Sequence, residues 1–207
     1  MAEKVIQEQF GERVIAAFSE FARADEKSVE ELVKDHFSHV SDAELRRALA
    51  QVYYGCRWVY KLGLALLVKD EERAAHVRAQ LVDYGSVCEG LLSHCVALAI
   101  KKGKTKGDGW NWIDPDTKKK ALTWSGHSPE PQIGKQSFWW LIRISRDFGI
   151  IDAPAATDLQ WVREQRNSVH LRRRATIGNT AYLNQSKRAY LTTHEVIRTT
   201  KLWVAAL

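Results

Sequence analysis

Cysteine is scarce in this chain: Cys56, Cys88 and Cys95 are all that occur in 207 residues. An odd count with no secretory signal, since Met1-Ala-Glu-Lys4 opens a charged amphipathic segment, argues against a disulfide framework. A reducing, cytoplasmic compartment is therefore expected. Long apolar runs are missing too. The longest, from Leu62 to Val68, is far too short to cross a bilayer, so no membrane association is expected. No internal repeat recurs, and no linker is long enough to divide the chain, which reads as a single domain over residues 1–207. No acidic constellation has metal-ligand spacing. Cys88 and Cys95 share a helical face near His94 without a fourth ligand, so they read as buried thiols and neither metal nor cofactor is expected. Gly103-Lys-Thr-Lys-Gly107 lacks the spacing and the preceding strand of a phosphate loop.

What is present is the balance of an ordinary globular protein, 45% hydrophobic and 27% charged, with a formal net charge of +6. That excess favours a polyanionic partner without saying which.

The apolar pattern is helical almost throughout. Val5, Ile6, Phe10, Val14, Ala17, Phe18 and Phe21 recur at three-to-four spacing, predicting an amphipathic helix over residues 3–23. Ser28-Val-Glu-Glu31 and Ser41-Asp-Ala-Glu44 read as capping boxes before further helices. Dense apolar positions from Asp42 to Val68, then a new start at Asp70-Glu-Glu-Arg73 running to about Lys101, predict a long antiparallel hairpin. The period then fails. Glycines and prolines punctuate residues 103–135, predicting a loop-rich insertion in which Trp110, Trp112, Leu122 and Trp124 flank Asp114-Pro-Asp-Thr117 as in a small β-hairpin. Ser137 to Phe148 is helical again and Gly149 is placed to stop it; Pro154 leads into the next helix. Thr192-Thr-His-Glu195 reads as a capping box for the last one. The class is all-α, a bundle with one insertion.

One segment carries chemistry. In Trp161-Val-Arg-Glu-Gln-Arg-Asn-Ser-Val-His170, the side chains of Arg163, Arg166, Asn167 and His170 fall within an arc of about 100° on one helical face. Two helices paired along that face would bring two such clusters together. Val162 and Val169 mark the apolar seam, and Arg166 lies about 40° from Val162, so it is expected to be partly buried. A buried guanidinium needs acceptors. Glu89 is the candidate, because it interrupts the row Val82, Glu89, Val96 in a segment otherwise filled by Leu81, Cys88, Leu91, Leu92 and Cys95. The plain reading of these two charges is a structural ion pair; His170 adds a titratable group within reach of arginines. Histidine serves as general acid or base near neutral pH, and guanidinium groups stabilise charge gathering on phosphorus. Without metal ligands such chemistry needs an internal nucleophile, which RNA supplies in its 2′-hydroxyl.

At these residues the chain resembles the HEPN superfamily, the higher eukaryotes and prokaryotes nucleotide-binding domains. Members are all-α bundles, usually dimeric, and many are metal-independent endoribonucleases of toxin–antitoxin, abortive-infection and other antiviral systems. Their signature is an arginine, usually followed by a polar residue such as asparagine, with four to six residues in all before a histidine. Here Arg163 and His170 are separated by six residues, while Arg166-Asn167 supplies the arginine–asparagine pair with only three residues before His170. Either Arg163 is the family arginine, followed by Glu164, or Arg166 is, in a compressed register.

The resemblance implies a HEPN-like helical bundle acting as a homodimeric endoribonuclease, a toxin or effector of prokaryotic antiviral defence or of a toxin–antitoxin pair, with an antitoxin or other defence protein as partner. His170 would be general acid or base, Arg163 and Arg166 would neutralise the phosphorane, Asn167 would orient phosphate or histidine, and Glu89 would fix an arginine from behind. The products would carry 2′,3′-cyclic phosphate and 5′-hydroxyl ends. The alternative is a non-catalytic HEPN-like module that binds RNA, a nucleotide or a protein. Arg172, Arg173 and Arg174 adjoin the cluster and are expected to meet RNA phosphates. The lysine runs 101–106 and 118–120 lie beside the tryptophans, for which a minor core is the favoured reading over base stacking.

Overall fold

In the computed structural model, which describes residues 11–104, 129–167 and 183–207, every regular element among the described residues is a helix. They are α1 (Glu12–Arg23), α2 (Val29–Asp35), α3 (Ala43–Ala65), α4 (Asp70–Lys101), α5 (Glu130–Ile133), α6 (Phe138–Asp147), α7 (Ala153–Asn167) and α8 (Leu183–Ala205). The all-α class holds.

The longest helix, α4, is the axis of the fold. Val77, Leu81, Tyr84, Val87, Cys88, Leu91, Leu92, Cys95 and Val96 are all buried, on more than one of its faces, which is why its sequence shows so little amphipathic contrast. Around it pack α3 and α8, then α7 and α6, with the short α5 against its C-terminal part. The α3–α4 hairpin is antiparallel as the sequence predicts: Gly63 faces His76, and Gly90 faces Leu49. A Cβ on Gly90 would stand 2.9 Å from Leu49 Cδ2, so the helices approach there more closely than a side chain permits.

The hairpin turn departs from the usual chemistry. The amide of Val68 donates to Gly63 O at 3.2 Å and that of Leu67 to Leu64 O at 3.2 Å, a Schellman closure of α3. Glycine ordinarily fills the left-handed position of this motif. Here it is Leu67, at φ 52°, where a non-glycine residue costs about 1 kcal/mol.

Several caps are as read and others are not. Ser28 and Glu31 form the expected reciprocal box, Glu31 N donating to Ser28 Oγ at 3.2 Å and Ser28 N to Glu31 Oε2 at 2.8 Å. Ser137 caps α6, Gly149 at φ 69° follows its end, and Asp152 Oδ1 accepts from Ala155 N at 2.9 Å at the start of α7. The box at Ser41 is replaced by Asp42, whose Oδ1 accepts from Glu44 N and Leu45 N at 2.9 and 3.0 Å; a carboxylate one residue later outcompetes the hydroxyl. The box at Thr192 does not form, because α8 already begins at Leu183. Thr192 and Thr193 are buried inside it, and the Thr193 hydroxyl donates back to Ala189 O at 2.8 Å. Gly11, at φ 76°, interrupts the continuous helix predicted over residues 3–23, so α1 starts at Glu12; residues 1–10 lie outside the described part.

The insertion predicted over residues 103–135 is shorter at its far end. Ile133 is fully buried and Glu130 pairs with Lys101, so the chain has rejoined the core by α5. The proposed β-hairpin, its tryptophans and the 118–120 lysines lie outside the described residues.

Candidate functional site

Helix α7 turns the row Ala155, Ala156, Leu159 and Val162 into the core. One turn beyond Val162, the same spacing brings Arg166 onto α4. Its stem lies flat on Gly85, where a Cβ would stand 3.0 Å from Arg166 Cδ and 3.6 Å from Arg166 Cβ. The guanidinium then reaches Glu89, one turn further along α4, and Nη1 donates to Glu89 Oε2. Its carbon sits 5.9 Å from the centre of the Phe138 ring on α6. The ion pair inferred from an isolated carboxylate in an apolar row is thus present, its side chains 30% and 29% exposed.

Arg163 takes a different role. Its Nε donates to Gln160 Oε1 at 2.8 Å, on its own helix, and no ion pair to another described residue engages it. The projection separates a buried Arg166 from an available Arg163; as residues both are half-buried, and the difference lies in what each one holds. Asn167, also half-buried, is the last residue of α7. His170 and Arg172 to Arg174, like the seam residue Val169, fall outside the described residues.

Gly85 is the part of this site that pattern reading misses. A glycine inside a long helix signals a close approach, and here it admits the arginine stem. A further tie holds α7 to α8: Arg188 donates to Asp158 Oδ1 at 2.8 Å and lies 4.3 Å from the centre of the Trp161 ring.

Two other polar assemblies went unread. Arg57 on α3 donates through Nε and Nη2 to both oxygens of Glu26 and stacks on Tyr190 at 4.7 Å and Tyr60 at 5.6 Å, beside the Tyr53 and Tyr84 rings. His36, His39, His94 and His194 gather next to these rings, His36 lying 5.7 Å from Tyr53 and His194 6.2 Å from Tyr190 between ring centres. His39 Nε2 lies 3.0 Å from Thr200 Oγ1, and burial pushes the imidazole down to about 4 from its ordinary 6.5. Burial depresses His36 and His94 as well. Among the described residues no three histidines, cysteines or carboxylates come together as a metal site would need. Cys88 and Cys95 are buried as predicted and pushed up to about 12; Cys56 is buried too and raised further by the same desolvation.

Comparison of the chain with protein-family models, with curated proteins and with solved structures returns no match.

Proposed function

We propose that the protein is a metal-independent endoribonuclease of the HEPN type, cutting RNA by attack of a 2′-hydroxyl on the adjacent phosphorus. The observation that carries this reading is the Glu89–Arg166 pair, which anchors the end of α7 on the central helix. Of the two arginines, Arg166 is committed to Glu89, so Arg163 is assigned to the phosphate. His170 moves the proton of the 2′-hydroxyl or of the 5′-leaving oxygen, Asn167 orients the phosphate or the imidazole, and Arg172 to Arg174 extend the basic surface along the strand. The working unit is a homodimer that brings two clusters to one cleft, in the cytoplasm, as toxin or effector of a prokaryotic defence or toxin–antitoxin system with a cognate antitoxin or other defence protein.

The same ion pair favours a second reading. A carboxylate beside a guanidinium offsets the field it presents to a second anion, and a cluster with one engaged arginine suits a non-catalytic module that binds RNA, a nucleotide or a protein. Incubating the pure protein with labelled RNA in EDTA separates the two. Cleavage that disappears in His170→Ala while the oligomer persists is expected for the enzyme; retention of RNA without cleavage selects the binding module.

A further inference from the structure

Where the α3–α4 turn meets the start of α8, two cavities of about 360 and 550 Å³ adjoin, with Tyr60 and Leu183 as shared walls. The smaller is mainly apolar, lined by Leu64, Leu67, Val68 and Leu183 together with Lys69 and Arg73. Tyr84, Tyr190 and Lys187 line the larger, as does Arg57, whose charge is already met by Glu26. Among the described residues no carboxylate lines either chamber. The acids of the first turn of α4, Asp70, Glu71 and Glu72, are exposed and outside the lining.

Three further observations converge here. Leu67 is 77% exposed, Leu183 44% and Leu64 39%, so apolar surface at the cavity is left to solvent. Leu67 at φ 52° and Asp70 at φ 45° hold left-handed backbone on either side of Val68 and Lys69, and the position that a Schellman turn reserves for glycine carries a leucine that lines the chamber. Gln80 closes the inner end, buried and bonded to the Ser186 hydroxyl, so the wall behind the leucines is fixed. Cavities of this size, with apolar walls and a few convergent charges, are the ordinary form of small-molecule sites.

We propose that the double cavity binds a long-chain carboxylate. Its head group is met by Lys69 and Arg73, its chain lies against Leu64, Leu67, Val68 and Leu183, and longer chains pass Tyr60 into the ring-lined chamber. Apolar walls select the chain, and two cations in a described lining that holds no carboxylate select the sign of the head. The site uses none of Arg163, Arg166, Asn167 or His170.

The test is calorimetric titration of the full chain with octanoate, dodecanoate, dodecylamine and adenosine monophosphate, all below micelle-forming concentrations. Dodecanoate is expected to bind at least about tenfold more tightly than octanoate, as added buried methylenes require. Dodecylamine and the nucleotide are expected not to bind. Leu67→Asp, Leu183→Asp and the double change Lys69→Glu with Arg73→Glu should each weaken dodecanoate about tenfold with the helical circular dichroism unchanged. If a variant loses that signal, the ligand series on the unaltered chain decides. No binding of dodecanoate, equal binding of dodecylamine, nucleotide binding in its place, or unchanged affinity in the folded variants would overturn the proposal.

Discussion

Arg166 on α7 and Glu89 on α4, 77 positions apart in the chain, form an ion pair across two helices, with the arginine stem laid over Gly85. Removing one partner leaves a partly desolvated charge without its mate. Glu89→Gln is expected to lower stability by about 1–2 kcal/mol in urea unfolding, less than a fully buried pair because both side chains keep contact with water. Pairing Glu89→Leu with Arg166→Met should recover most of that loss, since it removes both charges together. A double variant no more stable than either single one would mean that the pair does not act as a unit.

Arg163 and Arg166 should fail differently in an RNA-cleavage assay. Arg163→Ala removes the guanidinium assigned to the phosphorane and is expected to cost about 10²-fold in rate with unchanged urea stability. Arg166→Ala should reduce rate and stability together. A rate unaffected by Arg163→Ala would transfer that proposed role to Arg166.

How much of this was legible depended on which residues had alternatives. Glu89 could be matched to Arg166 because a carboxylate in an apolar row and a guanidinium beside an apolar seam each need a partner. Long helices with one capping solution, such as Ser28 with Glu31, were equally readable. Thr192 was not, since it lies inside a helix that begins at Leu183, where the neighbouring Thr193 hydroxyl bonds back to Ala189 O, and Ser41 lost its place to a neighbouring carboxylate. Glu26, in the connection between α1 and α2, gave no periodic signal of its contact with Arg57, nor did sequence spacing foretell that Tyr60, Tyr84 and Tyr190 would frame a cavity.

The histidine cluster makes stability depend on pH. His36, His39 and His94 stay neutral in the folded chain because burial disfavours their charged forms, and the cations Lys27, Lys101 and Lys201 outside them act in the same direction, against Asp35, Asp42 and Glu130. Unfolded, each takes up its proton near the ordinary 6.5, whereas His39 when folded does so only near 4. The contribution is therefore complete above pH 6.5 and is lost as pH falls from there towards 4. The urea midpoint is expected to fall between pH 7 and 5, before the carboxylates titrate, and His39→Gln should flatten the slope. A flat midpoint over that range would contradict the assignment.

The thiols should be silent while the fold is intact. Cys56, Cys88 and Cys95 are buried with raised pKa values, so Ellman's reagent is expected to find almost no reactive thiol in the native protein and all three in guanidinium. Rapid reaction of one of them before unfolding would show that its helix opens locally.

The proposed reaction draws its nucleophile from the RNA itself. Its most direct measurement is cleavage in EDTA of an oligoribonucleotide with a mapped cut site, beside the same strand carrying a single 2′-deoxy residue 5′ to the scissile phosphate. The ribose strand is expected to be cut to a 2′,3′-cyclic phosphate and a 5′-hydroxyl, and the substituted strand to survive at that site. Cleavage of both strands at equal rate, or products ending in a 5′-phosphate, would contradict it.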